Sequence, residues 1–251
     1  HPSDIWLTVG CDETGRISGF VFDGIFNTGA YASWGPTVAN RVPIHASGPY
    51  ATKDYRANSV AVHTNAPPAG AFRGFGVPQS AVAQECAFDL LAEKLGMDRL
   101  AFRRLNALKN GVPTVTGQVF NRGVGIDDCF AALENSWHAA VASAASFNQT
   151  AISDESPWRK GVGIASCWYG CGNTSLPNPS TMRMGITADG KIVLHQGAMD
   201  IGQGANTVIT QIAADALGVP VHDVQILGGD TDLTPDCGKT SASRQTFVSG
   251  K

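Results

Sequence analysis

The chain has 251 residues, 43% of them hydrophobic, which is enough to form one large domain or two smaller ones. Its 18 basic and 21 acidic residues give a net charge of −3 without runs of like charge, so the composition excludes a basic nucleic-acid-binding surface. No apolar stretch reaches the length of a membrane span, and the first residues do not form a signal peptide. The six cysteines include no CxxC pair, which argues against an iron–sulfur cluster within the chain, and scattered free thiols indicate the cytoplasm.

The first half of the sequence predicts strands followed by helices. Two β-type runs on either side of the turn sequence DETG predict a hairpin, and residues 1–65 are expected to be mainly strands. Apolar residues at helical spacing predict a helix over 79–95. Asp98 is expected to cap a second helix that ends at Gly111, and a third helix is predicted over 126–146.

The second half follows a polar stretch, NQTAISDESPWRKG, that is expected to be a linker or a surface loop. We therefore predict two subdomains, over residues 1–150 and 151–251. In the second, the turn sequence ADG predicts another hairpin, and ANTVITQIAADALG predicts an amphipathic helix that ends at Gly218. The repeated hairpin indicates two related subdomains with an α+β fold, in which mixed β-hairpins pack against helices, rather than a Rossmann fold.

The segment GAFRGFG, residues 70–76, is the first candidate binding segment. Its three glycines allow a ligand to approach the backbone, whereas a core strand avoids the conformational entropy cost of glycine. Arg73 can bind a phosphate through two parallel hydrogen bonds, and Phe72 and Phe75 can line a pocket. The alternative is a buried turn with two core phenylalanines.

The segment DIGQGANT is the second candidate, because a glycine-rich turn leads directly into the predicted helix. The first amides of a helix have no partner within the helix and attract anions. Gly202 and Gly204 let the backbone approach a bulky anionic group, and Gln203 offers both a donor and an acceptor. The sequence is neither a Walker loop nor GxGxxG, and a plain left-handed turn before a helix is the alternative.

The segment DCGKTSASRQTFVSG is the third candidate, and it concentrates hydrogen-bonding side chains. Six of seven consecutive residues carry them: Thr240, Ser241, Ser243, Arg244, Gln245 and Thr246. A helix cap needs fewer donors, although a capped helix start is the alternative interpretation. The three segments together favour one large polyanionic cofactor held by several loops, and a nucleotide bound by the same loops remains the rival hypothesis.

Four segments, in this order, resemble the molybdenum-binding (large) subunit of the xanthine dehydrogenase and aldehyde oxidase family: GAFRGFGVPQ, LLAEKLGMDRLAFRRLNAL, GAMDIGQGANTVITQIAADALGV and GGDTDLTPDCGKTSASRQT. The resemblance implies the molybdopterin-binding fold of that family and a molybdenum–pyranopterin cofactor, in bacterial members often the cytosine dinucleotide form. It implies no direct metal ligand from this chain. The cofactor contacts that it implies come from Phe72, Arg73, Gly202, Gln203, Gly204, Thr240, Ser241 and Ser243, and also from Arg244 and Gln245.

The resemblance also implies two substrate contacts. The aromatic residue two positions after the arginine faces the substrate in the family, which corresponds to Phe75. Members that oxidise xanthine have a substrate-orienting arginine upstream of the Phe-Arg motif, and Arg41 precedes Phe72 by a similar interval of 31 residues (72 − 41). Such an arginine stabilises negative charge that develops on a heterocycle. The alternative for Arg41 is an ordinary surface arginine.

Two family features are not found in their expected places: a second Gly-Phe-Gly loop, which in the family precedes this region, and the glutamate near the C-terminal end that acts as general base. We therefore expect the chain to be the central portion of a catalytic subunit, with the base downstream and no catalytic residue of its own. The resemblance implies partners that carry a [2Fe–2S] cluster and FAD, besides the remaining portion of the subunit and a small-molecule substrate. The expected function is hydroxylation of an aldehyde or an N-heteroaromatic compound with water-derived oxygen, and the isolated chain is expected to be inactive. A truncated, non-catalytic molybdopterin-binding module and a nucleotide-binding protein are the alternatives.

Overall fold

The computed structural model describes residues 1–172 and 177–251. The chain forms two compact units, His1–Tyr169 and Gly170–Lys251. Each unit contains a three-stranded sheet whose strands follow one another in sequence order. No helix in the described part of the chain combines the length and the apolar character that crossing a bilayer requires.

The first unit begins with the predicted hairpin. Strands β1 (Ser3–Cys11) and β2 (Ile17–Gly29) pair antiparallel, with Leu7 opposite Phe22. The Asp12 carboxylate closes the turn, because its Oδ1 accepts hydrogen bonds from the backbone N–H groups of Thr14 and Arg16 at 2.9 and 3.0 Å. The hairpin predicted around DETG is therefore confirmed.

The prediction that residues 1–65 are mainly strands is wrong between the second and third strands, where helix α1 (Gly35–His45) lies. Pro36 is compatible with the first turn of a helix, which needs no N–H donor there, while Pro43 interrupts the apolar pattern that would have indicated a helix. Because α1 connects them, β2 and β3 (Asp54–His63) pair parallel rather than as a hairpin.

The three helices predicted next are present with different bounds: α2 (Val77–Lys94), α3 (Arg99–Asn106) and α4 (Ile126–Ser153). Asp98 caps α3 as predicted, since its Oδ1 accepts the N–H of Ala101 at 2.9 Å. The helix ends before Gly111 because Ala107 leaves it to form a β-bridge with Tyr50. Helix α4 continues to Ser153, so the prediction of a linker or loop for NQTAISDESPWRKG is wrong for its first half.

Aromatic rings fill the core of the first unit, where Phe20, Phe88 and Phe102 pack edge-to-face in series. Beside them lies a buried ion pair, in which Arg103 Nε is 2.7 Å from Glu85 Oε2. This pair joins α2 to α3.

The second unit repeats the order of the first. Strands β4 (Arg183–Ile186) and β5 (Ile192–Gln196) form the antiparallel hairpin predicted around ADG. Helix α5 (Ala205–Leu217) then leads to β6 (Val224–Gly228), which pairs parallel with β5. The repeated hairpin, helix and parallel strand confirm the α+β class and the two related units. The division at residue 150 stays a prediction; the two units in the structure meet after Tyr169.

Candidate functional site

In the first unit, residues 70–76 form a tight loop that leads into α2. Gly74, Phe75 and Gly76 all have positive φ, of 93°, 45° and 99°. A Cβ atom on Gly76 would lie 2.7 Å from Val42 Cγ2 and 3.1 Å from Val38 O, so the loop packs on α1 only because this residue is glycine. The glycine at position 76 therefore allows the loop backbone to approach α1 closely, in addition to any role in admitting a ligand.

The side chains of this loop differ in exposure. Phe72 is 75% exposed, so the alternative of a core phenylalanine is wrong for it. Phe75 is half-buried and meets Trp34 edge-to-face at 6.4 Å between ring centroids. Arg73 is exposed at the surface of the unit. An exposed aromatic ring beside an exposed guanidinium suits a planar, anionic ligand.

Arg41 lies on α1, the helix that packs against this loop. Its guanidinium carbon is 5.8 Å from the centre of the Tyr169 ring, and that ring stacks on His45 at 5.2 Å. Burial, together with the nearby charge of Arg41, lowers the pKa of His45. Arg41 is thus half-buried and held by an aromatic ring, which differs from an ordinary surface arginine.

In the second unit, the GQG turn is organised by Asp200, which the sequence analysis did not identify. The Asp200 carboxylate accepts hydrogen bonds from the N–H groups of Gly202 (2.8 Å), Gly204 (3.3 Å) and Asn206 (3.2 Å). Bonding from Gly202 and then Asn206 lowers the pKa of this carboxyl. The amides expected to receive a ligand anion are therefore bonded to a carboxylate of the chain itself, and the spacing D-x-G-x-G-x-N could have indicated this.

The third segment meets the second through Thr240. Its hydroxyl accepts the N–H of Met199 and donates to the Met199 carbonyl, both at 3.0 Å. Gln203 Nε2 donates to the same carbonyl at 3.0 Å. The structure thus brings together two of the segments that the sequence analysis singled out.

The remaining residues of the third segment divide into two groups. Ser241 and Ser243 are exposed, and no hydrogen bond within the described residues occupies their hydroxyl groups. Arg244 is buried and donates to the carbonyls of Cys237 (2.7 Å), Lys239 (3.0 Å) and Pro179 (2.6 Å). Gln245 likewise bonds the carbonyl of Lys239 at 3.0 Å. Arg244 and Gln245 order the loop, and their contact with a cofactor stays a prediction.

A buried glutamine at the end of β5 was also missed by the sequence analysis. Gln196 is 1% exposed, and its Nε2 donates to Asn206 Oδ1 at 2.8 Å. Its Oε1 is buried without a hydrogen-bond partner among the described residues. An unpartnered acceptor at the carboxyl end of a strand, linked through Asn206 to the GQG turn, fits a cofactor that offers hydrogen-bond donors.

Residues 1–172 and 177–251 contain no group of three or more His, Cys, Asp or Glu residues that could bind a metal ion. The donor set is neutral hydroxyls, amides and one guanidinium, which suits a pterin and a phosphate.

Two family models for a molybdopterin cofactor-binding domain match the chain, over residues 1–107 and 131–251. The xanthine dehydrogenase molybdenum-binding subunit of Escherichia coli O157:H7 is 33% identical over 99% of this chain and 33% of its own length. The nicotinate dehydrogenase large molybdopterin subunit of Eubacterium barkeri is 42% identical over half of this chain and 30% of its own length.

The fold shows the same relationship. The structure of the aldehyde oxidoreductase from Desulfovibrio gigas superposes with a TM-score of 0.85 and 30% identity, over 99% of this chain and 27% of that one. The chain therefore spans about a third, or less, of the proteins that it matches. With two matching domains and similarity along its whole length, the chain belongs to the molybdopterin cofactor-binding domains of the xanthine dehydrogenase and aldehyde oxidoreductase family.

Proposed function

We propose that the chain is part of the catalytic subunit of a molybdenum hydroxylase that oxidises an aldehyde or an N-heteroaromatic compound. The observation that carries the proposal is the Thr240–Met199 contact, which joins the GQG turn to a loop with two open hydroxyl groups. The names of the relatives, a xanthine dehydrogenase, a nicotinate dehydrogenase and an aldehyde oxidoreductase, support this substrate range.

The cofactor contacts follow from the donors that each unit offers. In the first unit, Arg73 binds an anionic part of the pterin and Phe72 lies against it. In the second, Ser241 and Ser243 donate to phosphate or pterin oxygens, while Asp200 and Thr240 hold the GQG turn in place for Gln203. A cytosine dinucleotide form of the cofactor would supply further phosphate oxygens for these two hydroxyl donors. When bound, the molybdenum–pterin group supplies the redox chemistry of the hydroxylation.

The chain's own residues orient the substrate. Phe75 presents an aromatic face to a planar molecule, and its packing on Trp34 limits the motion of the ring. Arg41, held over Tyr169, stabilises negative charge that develops on a heterocycle. The general base, the [2Fe–2S] and FAD partners and the remaining portion of the subunit lie outside the chain, and we place the whole assembly in the cytoplasm.

Mass spectrometry of a native preparation of the full-length subunit tests the proposal. We expect a molybdenum pterin; a simple nucleotide would support the rival nucleotide-binding protein instead. The double variant Ser241→Ala/Ser243→Ala should lower the molybdenum content several-fold, because two hydroxyl contacts to a charged group are lost. Ser143→Ala, which removes an exposed hydroxyl from α4, is the matched control and should leave it unchanged.

Turnover then separates an enzyme from a non-catalytic module. The assembled subunit should oxidise an aldehyde or a heterocycle when an electron acceptor is present. A fully loaded assembly that oxidises neither class would support the truncated, non-catalytic module.

A further inference from the structure

Residues 161–169, GVGIASCWY, lie at the end of the first unit, and we call them the open strand. Exposure alternates along them with a period of two: Val162, Ile164, Ser166 and Trp168 are half-buried, and the residues between them are exposed. This period is that of a β-strand with one face on a core. None of the nine residues has a positive φ, which agrees with an extended backbone.

The inward side chains fix the open strand in place. Val162 and Ile164 pack against the aromatic core of the first unit. Further along, Ser166 Oγ donates to the Tyr50 hydroxyl at 2.7 Å, and Trp168 Nε1 donates to the His45 carbonyl at 3.3 Å. The segment is therefore an anchored strand and not a loose connection.

The backbone of the open strand has no hydrogen-bond partner in the part of the chain that the structure describes. Among the described residues, no backbone hydrogen bond involves the N–H or C=O groups of 161–169, and the strand belongs to neither sheet. Backbone groups in ordered segments are almost always paired. Strand edges that stay uncovered are usually protected by charges, prolines or bulges, yet 161–169 contain no charged residue and no proline.

We propose that the open strand is completed by a β-strand from the part of the molybdenum subunit outside these 251 residues. The inference rests on the proposed function insofar as that places the chain in a larger subunit. A strand that is added to a sheet edge binds through main-chain hydrogen bonds. The unpaired N–H and C=O groups of the open strand can form such bonds.

Length and composition favour a strand from the same polypeptide over a second copy of the chain. The matching subunit of Escherichia coli O157:H7 is about three times as long as the region that the chain covers, so much of such a subunit is available to supply a strand. A covalently attached strand has a high effective concentration. The exposed residues Gly161, Gly163 and Ala165 carry no side chain larger than a methyl group, so they leave the approach of an extended strand unhindered.

Hydrogen–deuterium exchange, resolved to single amides, tests the proposal in three samples: the 251-residue chain when dilute, the chain when concentrated, and the full-length subunit. We expect fast exchange at 161–169 in both samples of the chain and, in the full-length subunit, exchange that is at least about a hundred-fold slower at every second one of these amides. The amides of β2 serve as a reference that is protected in all three. Because neighbouring N–H groups point to opposite edges, one partner strand protects every second amide.

Three other outcomes would overturn the proposal. Protection in the dilute chain would mean that the strand is already paired, and protection that grows with concentration would identify a second copy as the occupant. Fast exchange in the full-length subunit would leave the strand unpaired. Molybdenum content, measured on the same full-length sample, tests the proposed function separately from the added strand. The amides can be protected in a subunit that binds no molybdenum, and that result would contradict the proposed function alone.

A substitution checks the pairing directly. Ala165→Pro removes one N–H group at an exposed position, whereas Ala165→Ser keeps it. If the odd-numbered amides are the protected row in the full-length subunit, the proline variant should speed exchange at Gly163 and Cys167 about ten-fold relative to the serine variant. If the even-numbered amides are protected, the two variants should exchange alike. Equal exchange in the two variants when the odd-numbered amides are protected would exclude strand pairing. Faster exchange in the proline variant when the even-numbered amides are protected would exclude it as well.

Discussion

The guanidinium of Arg103 and the carboxylate of Glu85 form an ion pair of 2.7 Å in the interior of the first unit. Arg103 is fully buried and Glu85 is 6% exposed. Glu85 also accepts hydrogen bonds from the Tyr50 hydroxyl and from Gln84 Nε2, both at 2.9 Å. Burial, with the adjacent Glu85 charge, raises the pKa of Tyr50, so its hydroxyl remains a donor to the carboxylate. Both charges are thus satisfied within the unit.

We expect Glu85→Ala to lower the free energy of unfolding by up to about 3–5 kcal/mol, because the buried Arg103 would keep only Asp89, whose Oδ1 lies 2.8 Å from Nη2, as a counter-charge. Urea denaturation of the chain measures this. Glu93→Ala, at an exposed position on the same helix, is the control and should change stability by no more than about 0.5 kcal/mol. A loss below about 1 kcal/mol for Glu85→Ala would contradict the role of Glu85 as the main counter-charge of Arg103.

The hairpins, the class of fold and four of the five α-helices in the described residues could be predicted from the sequence, because each has a local pattern. Helix α1 could not, since Pro36 and Pro43 obscure its apolar spacing, although the tertiary contact of Val42 with Gly76 stabilises it. The parallel pairing of β2 with β3 depends on that helix, and for this reason it was missed as well.

The candidate site was predicted as a set of segments but not in its internal bonding. Hydrogen-bonding groups in a glycine-rich loop are expected from the sequence to bind a ligand. In the structure, many of them form hydrogen bonds within the loops instead. Arg244 bonds backbone carbonyls in the interior, and Asp200 takes the amides of the GQG turn. Such roles depend on which backbone groups a loop leaves unpaired, and a residue pattern does not reveal this.

Arg73→Ala is expected to lower the molybdenum content of the full-length subunit more than Arg73→Lys, although both should lower it. Lysine keeps the charge and loses the two parallel hydrogen bonds of the guanidinium, and hydrogen bonds to charged groups are worth about 1.5–3 kcal/mol. Metal analysis after identical purification provides the measurement. Arg56→Ala, an exposed arginine of β3, is the matched control. Normal molybdenum in Arg73→Ala would remove Arg73 from the cofactor site.

Phe75→Ala in the assembled enzyme is expected to raise KM or lower kcat about 2- to 10-fold, because a stacking face contributes roughly 0.5–1.5 kcal/mol. Molybdenum content should not change. Phe75→Trp keeps an aromatic face and should retain most of the activity, and Trp158→Ala, which removes an exposed ring elsewhere, should have no effect. If Phe75→Ala instead unfolds the protein, the packing on Trp34 is the main role of the residue and the substrate contact is wrong.

Acidification is expected to weaken the GQG turn through Asp200. Its pKa lies below the ordinary value because the N–H of Gly202, followed by that of Asn206, favours the carboxylate. The carboxylate therefore stabilises the folded turn at pH above the ordinary pKa of about 3.9, and this contribution is lost as the pH falls through the lower native value. Asp200→Asn should remove that part of the pH dependence. Thermal unfolding between about pH 5 and pH 2 provides the comparison.

Asp215→Asn is the control for this experiment, since it removes one negative charge from α5 without touching the turn. It should retain the loss of stability on acidification that the parent chain shows. If Asp200→Asn and Asp215→Asn follow the same pH profile, the hydrogen bonds of Asp200 to the turn do not persist in solution.

The 251-residue chain, supplied with the molybdenum cofactor, is expected to show no sustained oxidation of aldehydes or N-heteroaromatics. General-base catalysis contributes about 10²–10⁴ in rate, and the family resemblance places the base outside the chain. Two glutamates of the chain are already paired with arginines, Glu85 with Arg103 at 2.7 Å and Glu134 with Arg104 at 2.9 Å. The assay mixes the purified chain and cofactor with a dye acceptor and a panel of aldehydes and purines, and the assembled full-length enzyme is the positive control. Multiple turnovers by the chain would place a base within it, and single Glu→Gln variants at positions 85, 93, 134 and 155 would then be needed to find the residue.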